Sequence, residues 1–425
     1  MSFLRSLFSG VSALRNQQTM MDVIGNNIAN INTVGFKSGR ATFSELYAQT
    51  MRGASRPTST LGGTNPMQVG LGMAVNTLDT QFIQGNIETT GNTFDLALNG
   101  SAFFVVNRDG QPLYTRAGNF LPDADGRLVN GSGAILQGKM ADALGVVPQG
   151  TSLEDIVIDR SIKSPAKATS KVGYTGNLKP TTDAYSAGPP EVGGFTKSSV
   201  PVYDSLGNPI ELTLELRSNG GDSWTWSASV PDPASTTGGT IPAGTGTVSF
   251  DSHGRLAAAP TGTPITITPT GGADPMSIAI DFGKVGEFSG LTQTSGESIV
   301  TGAADGYTSG TLKDVRIGAD GTIQGAFTNG TVQSLAKVML AEFSNPAGLE
   351  RAGENAFVIT GNSGTASVVN AGGSTKIYAG SLEQSNVDLA DEFTKMITAQ
   401  RGFQASARVI TTSDEFLQEV VNLKR

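Results

Sequence analysis

The sequence predicts a mainly β, multidomain chain with α-helical termini, in which the two helices pair as a coiled coil and discontinuous β domains lie between them. Three observations predict this class. At 425 residues the chain is too long for one ordinary core, since domains usually span about 100 to 200 residues. Apolar residues recur every three or four positions at both ends and every second position between them. Glycine fills 55 positions and proline 19, a supply of turn formers suited to many short strands.

The first element is an N-terminal helix over 1–35. Its apolar steps are Leu4, Leu7, Val11 and Leu14, the rhythm continues through Gln18, Met21, Gly25 and Ile28, and no proline precedes residue 57. That is a heptad seam. A secretory leader over Met1 to Ala13 is not expected, because Arg5, Ser6, Ser9 and Gly10 interrupt the apolar run it needs. A linking segment with a hairpin follows over 36–90. The first part of an inner β domain occupies 91–178, an outer β insert 179–290, and the second part of the inner domain 291–381.

Period-two alternation carries the β reading. Ile210, Leu212, Leu214 and Leu216 alternate with Glu211, Thr213, Glu215 and Arg217, and Trp224, Trp226, Ala228 and Val230 alternate with Thr225, Ser227 and Ser229. Such strands bury one face and wet the other. Hairpin turns are expected at Val106 to Gly110, Leu121 to Gly126, Phe250 to Gly254 and Ile317 to Gly321, where an apolar residue leads into an Asp or Asn turn closed by glycine. The last element is a C-terminal helix over 382–425, with Leu389, Phe393, Met396, Gln400, Phe403, Ala407, Ile410, Asp414, Leu417 and Val421 as its seam and Asp388 at the N-cap. That seam, from Leu389 to Val421, extends about 50 Å at 1.5 Å per residue, longer than a compact domain is wide. Its tip is therefore expected to lie on other copies of the chain, the logic of a polymer subunit.

Composition excludes several classes of function. With 29 basic and 37 acidic residues the net charge is -8, which repels phosphate backbones and argues against a nucleic-acid partner. The absence of cysteine and the single histidine remove disulfides, thiolate nucleophiles and the common zinc sites. No cofactor, metal site or catalytic residue is expected. Asp123 and Asp125 lack the glutamate that would complete a calcium loop, since Ala134 stands at that slot. His253 sits in a hairpin turn, and Gly35-Phe-Lys-Ser38 lacks the Gly-Lys pair of a phosphate loop. No run of about 18 apolar residues predicts a membrane span. The first 56 residues carry six basic and two acidic side chains and the last 43 carry five and seven, so the termini are complementary in charge.

Two long motifs resemble a known family. Asn26-Asn-Ile-Ala-Asn-Ile-Asn-Thr-Val-Gly-Phe-Lys37 is similar to the N-terminal signature of the axial proteins of the bacterial flagellum, and Gly35-Phe36-Lys37 is similar to its rod and hook branch. Leu382-Glu-Gln-Ser-Asn-Val-Asp-Leu389 and Glu392-Phe-Thr-Lys-Met-Ile-Thr-Ala-Gln-Arg-Gly-Phe403 resemble the C-terminal signature. The family positions are Asn27, Asn30, Asn32, Gly35, Phe36, Lys37, Ser385, Asn386, Asp388, Gln400 and Arg401. Val202-Tyr-Asp-Ser-Leu-Gly207, the two tryptophans and Asp305-Gly-Tyr-Thr-Ser-Gly310 resemble the outer-domain region of the hook branch.

The resemblance implies a structural subunit that polymerises into the curved, flexible tube of the flagellar hook, a universal joint passing torque from rod to filament. It implies that Leu7, Val11, Leu14, Met21, Ile28, Phe393, Met396, Phe403, Ile410 and Leu417 pack the helices into an inner tube as the subunit interface. The implied partners are further copies of the chain, the distal rod protein, the hook-filament junction protein, the hook cap and the flagellar type III export apparatus, with neither nucleic acid nor membrane insertion. The implied location is the extracellular hook, reached by export without a cleaved signal peptide. The alternatives are a distal rod-type axial protein and, behind it, a secreted β-rich adhesin.

Overall fold

The computed structural model describes residues 2–57, 62–143, 145–188, 193–231, 240–262, 264–269 and 272–422. The chain divides into two compact units. One comprises Met1–Asp159, Val315–Gly325 and Gln333–Arg425, and the other Arg160–Asp314 and Ala326–Val332.

The first unit contains both terminal helices, α1 (Ser2–Ala29) and α2 (Leu389–Asn422). Asp388 caps α2 as expected: its Oδ1 accepts the Ala390 N–H at 2.8 Å and the Asp391 N–H at 3.2 Å, satisfying donors with no intrahelical partner. Helix α1 stops six residues short of the expected end. The Asn30 side chain donates to the Asn26 carbonyl and accepts from the Thr33 hydroxyl, local bonds that compete with the helix. Gly35 then takes φ +68, and a Cβ there would lie 2.6 Å from the Ala117 amide nitrogen, so only glycine fits. The helices run antiparallel. Ser6 meets Ser413, Gly10 meets Ile410, Gln17 meets Gly402 and Asn27 meets Glu392, each step up one helix matched by a step down the other. The side chain of Leu4, in the expected seam, lies outside the described residues.

The strands of this unit surround an aromatic core. Phe103–Arg108 and Gln111–Thr115 form a hairpin whose turn residues Asp109 and Gly110 both have positive φ, 53° and 81°. That geometry matches the twist of the flanking strands. Ala356–Val358 pairs with the second strand, and Val332–Glu342 and Ile135–Met140 pair with the first. Phe103, Tyr114, Phe343 and Phe357 pack edge to face with Phe82 beside them. The linking segment holds two hairpins, Gly39–Glu45 with Met73–Thr80 and Ala48–Arg52 with Met67–Gly70.

The second unit has two sheets sharing one core. Phe195–Tyr203, Pro209–Gly221, Ser223–Pro231 and Thr240–Ser249 form an antiparallel meander. Every second residue is buried, so Leu212, Leu214, Leu216, Trp224 and Trp226 fill the interior, as the alternation predicts. The other sheet aligns Lys171–Asn177 parallel to Met276–Asp281 and antiparallel to Ile299–Ala304, contributing Val172, Tyr174 and Ile278. As a compact unit it runs from Arg160 to Asp314, reaching beyond both ends of the outer insert expected over 179–290. The reason is that Lys171–Asn177 finds its partners more than a hundred residues downstream, which local periodicity cannot reveal.

The four expected turns form. In two of them one aspartate carboxylate gathers the backbone: Asp123 accepts from the Asp125 and Arg127 amides, and Asp251 from those of His253 and Arg255. A stronger case is Asp305, which accepts from the Ser170 and Lys171 amides at 2.9 Å, the Ser170 hydroxyl at 2.8 Å and the Lys167 ammonium at 3.2 Å. Partial burial pushes this carboxyl upward, but those donors outweigh it and hold it at about 2, below its ordinary 3.8. A depressed carboxylate stabilises the folded state fully above its unfolded value and loses that contribution as pH falls. Stability of the second unit, followed by tryptophan emission because both tryptophans lie there, is expected to drop between about pH 4 and pH 2. Asp305→Asn is expected to lower the neutral-pH midpoint in urea and flatten that acid limb; an unchanged limb would remove Asp305 as its source.

Candidate functional site

The two signature segments meet, and an ion cluster joins them inside the first unit. Ser381–Glu383 pairs with Ile87–Thr89 and delivers the Glu383 side chain into the interior, while the turns after α1 deliver Lys37. Lys37 Nζ lies 2.6 Å from Glu383 Oε1, with both side chains fully buried. Nζ also donates to the Ile83 carbonyl at 2.8 Å, and the Gly85 amide donates to the same carboxylate oxygen at 2.8 Å. Arg116 Nη1 approaches Glu383 Oε2 at 3.5 Å, its Nη2 donates to the Gly100 carbonyl at 2.7 Å, and its guanidinium covers the Phe103 ring at 5.0 Å. Burial pulls the Lys37 ammonium below its ordinary value while the Glu383 charge opposes the shift, and burial lowers Arg116 in the same way. One carboxylate thus neutralises two buried cations in part.

Main-chain contacts surround this cluster. The Gly35 amide donates to the Glu383 carbonyl at 2.8 Å. Asn386 accepts the Ser38 amide at 2.8 Å and donates to the Gln81 and Ile83 carbonyls. Arg351 donates to the Lys37 carbonyl at 2.7 Å while lying over the Phe36 ring, and Asn355 donates to the Val34 carbonyl at 2.9 Å. One turn away, Asn27 accepts the Gly39 amide and donates to both the Gly39 carbonyl and Glu392 Oε2 at 3.1 Å, and Lys395 closes on Glu392 and Asp391.

Of the family positions, Asn27, Gly35, Phe36, Lys37 and Asn386 stand in this junction. Asn30 and Asp388 shape the ends of the two helices, and the Ser385 hydroxyl accepts the Val387 amide. Asn32, Gln400 and Arg401 are exposed. Sequence reasoning missed Glu383, although it lies inside a quoted motif, and Arg116, Arg351 and Asn355, which carry no local signal. It also missed what lines the contact between the helices. Gly10, Ile24, Asn27, Glu392, Ala399 and Ser413 are buried, with Ile410 set against Gly10, while buried Asn16 donates instead to the Met73 carbonyl at 2.7 Å. Leu7, Leu14, Met21, Ile28, Met396, Ile410 and Leu417 are half-buried, whereas Val11, Phe393 and Phe403 are exposed at 38%, 47% and 37%. With Leu389 and Ile397, Phe393 forms an exposed apolar ridge stepping by four along α2.

Among the described residues, none of the His, Asp and Glu side chains cluster in a way that would hold a metal ion, and no helix is long and apolar enough to cross a membrane. Buried cross-links between termini, with an apolar ridge left outside, define a structural subunit made for assembly. Known proteins place that class. The chain matches the flagella basal body rod protein family over residues 7–37, the flagellar hook protein FlgE/F/G D1 domain over 97–178, the flagellar basal body protein FlaE D2 domain over 175–307, and the flagellar basal body rod FlgEFG protein C-terminal family over 378–423. The flagellar hook protein FlgE of Treponema pallidum is 39% identical, covering 99% of this chain and all of its own. The flagellar basal-body rod protein FlgG of Bacillus subtilis is 30% identical over the same shares. The chain belongs to the flagellar hook protein family. A crystal structure of the Helicobacter pylori flagellar hook protein FlgE2 shares the fold, with TM-score 0.51 over 70% of this chain and all of that one, at 16% identity.

The ion cluster makes an ordered prediction. Glu383→Gln leaves two buried cations without a counter-charge and is expected to cost about 3–5 kcal/mol. Lys37→Met leaves the Arg116 pair neutral and is expected to cost less. Urea unfolding followed by helical circular dichroism, which reports the unit holding both helices, checks the order; a larger loss from Lys37→Met would refute this division of charge.

Proposed function

We propose that the chain is the repeating subunit of a curved, flexible hook tube and serves there as a universal joint, passing torque from rod to filament. The observation that carries this reading is the mismatch between the two sides of the terminal helices. Their contact within the chain includes Ser6, Gly10, Gln17 and Asn27 and leaves Leu7, Leu14, Met21, Ile410 and Leu417 only half-buried, while Phe8, Val11, Leu389, Phe393, Ile397 and Phe403 face outward. Long helices gain most of their stability from burying an apolar face, and here further copies of the chain supply the cover. Leu7, Val11, Leu14, Met21, Ile28, Phe393, Met396, Phe403, Ile410 and Leu417 are the proposed subunit interface, with Val11, Phe393 and Phe403 its outermost members.

At its ends the tube meets the distal rod protein and the hook-filament junction protein, and it grows beneath a hook cap. Subunits reach the extracellular hook through the flagellar type III export apparatus. The absence of cysteine suits passage between redox compartments. Phe393→Asp and Phe403→Asp place a charge on the proposed interface, where burial without a partner is costly. Both are expected to abolish tubes in electron micrographs while helical circular dichroism and tryptophan emission stay unchanged. Tubes of wild-type yield from both variants would overturn the reading.

A further inference from the structure

The chain contains four Asn-Gly pairs: Asn99-Gly100, Asn130-Gly131, Asn219-Gly220 and Asn329-Gly330. At such a pair the glycine nitrogen can reach the asparagine side-chain carbonyl carbon, because no following side chain obstructs it. In three of the four that nitrogen is engaged. The Gly100 amide donates to Gln84 Oε1 at 3.1 Å, Gly220 to Ser218 Oγ at 3.0 Å and Gly330 to the Phe327 carbonyl at 3.0 Å. The Gly131 amide donates to no acceptor among the described residues.

The carbonyl of Asn130 is also prepared for attack. Its Oδ1 accepts the Ser132 hydroxyl at 2.8 Å, the Ala134 amide at 2.9 Å and the Ser132 amide at 3.1 Å. Three donors on one carbonyl oxygen stabilise the negative charge that collects there when a nucleophile adds to the adjoining carbon. The turn is held by the Asn130 amide on the Ala134 carbonyl at 3.0 Å and the Gly133 amide on the Asn130 carbonyl at 3.0 Å. It opens onto a cleft of about 330 Å³ lined by Thr33, Val34, Asn119, Glu354 and Asn355, so water reaches it. A Cβ added to Gly131 would meet only Asn119 Nδ2, at 3.9 Å.

We propose that Asn130 is a self-modification site that converts to aspartate and isoaspartate in the folded protein. The Gly131 nitrogen loses its proton to solvent and bonds to Asn130 Cγ, and charge passes to Oδ1 within its three donors. Collapse of that adduct breaks the bond from Cγ to Nδ2, which leaves as ammonia after taking a proton from water. Water then opens the five-membered imide: cleavage at the side-chain carbonyl yields aspartate, and cleavage at the main-chain carbonyl yields isoaspartate. Nothing is oxidised or reduced. The product places a new carboxylate in the cleft that holds Glu354 and the signature residues Thr33 and Val34.

The test incubates the full-length protein at mildly alkaline pH, folded and in urea, and follows all four asparagines by peptide mass mapping. In urea the four rates are expected to converge. In the folded protein Asn130 is expected to outpace the other three. Ser132→Ala is expected to slow Asn130 alone by about fivefold, the worth of one hydrogen bond. Gly131→Ala, which the open space accommodates, is expected to slow it further. The unchanged rates at the other three asparagines report that both variants keep the fold. Modification of Asn130 no faster than the others in the folded state, or insensitive to Ser132→Ala, would overturn the proposal.

Discussion

The architecture of the first unit depends on a buried carboxylate that cannot stay where it is without both ends of its neighbourhood in place. Glu383 comes from the strand just before α2, Lys37 from the turns just after α1, and Arg116 from the end of the central hairpin. An isolated carboxylate in such a place would carry a desolvation penalty of several kcal/mol. Its position therefore requires that N-terminal segment, C-terminal segment and β core be present together. The bonds around it, from Gly35 to the Glu383 carbonyl and from Ser38 to Asn386, repeat that requirement in the main chain.

Above this junction the helices follow a different rule. Within the chain they touch through small and polar groups at the heights of Ser6, Gly10, Gln17 and Asn27. Polar layers in a helix pair fix register and direction at some cost in affinity. Ile410 is set against Gly10, but other apolar side chains, Val11, Phe393, Ile397 and Phe403, remain exposed on the outer faces. Register is thus set inside the subunit, while part of the apolar surface of the helices stays uncovered by the same chain.

Much of this was legible in the sequence. The three-and-four spacing located both helices, Asp388 marked the start of α2, and alternation around Trp224 and Trp226 identified the interior of the second unit. Lys37 was singled out within its motif. What was not legible shares a cause: it is made by residues distant in sequence. Lys37 and Glu383 are 346 positions apart, and nothing near Arg116 distinguishes it from a surface arginine. The apolar pattern also conceals a distinction. It marks residues that avoid water without saying whether their cover is the same chain or another, so Ile410, set against Gly10, and exposed Phe403 look alike. The border before Arg160 stayed hidden because Lys171–Asn177 pairs with strands from the far side of the insert.

The separation of Lys37 from Glu383 also sets an order of events during synthesis. Closing contacts between sequence-distant residues is slow, and it cannot begin before the later partner exists. The second unit is nearly continuous, from Arg160 to Asp314 with a short return at Ala326–Val332, so a ribosome releases all of it while Glu383 is still unmade. The ammonium of Lys37 does not meet the Glu383 carboxylate until the C-terminal signature appears. Burial of that lysine is consequently a chemical record that translation has reached the C-terminal signature, since a chain broken off earlier leaves its ammonium without the Glu383 carboxylate.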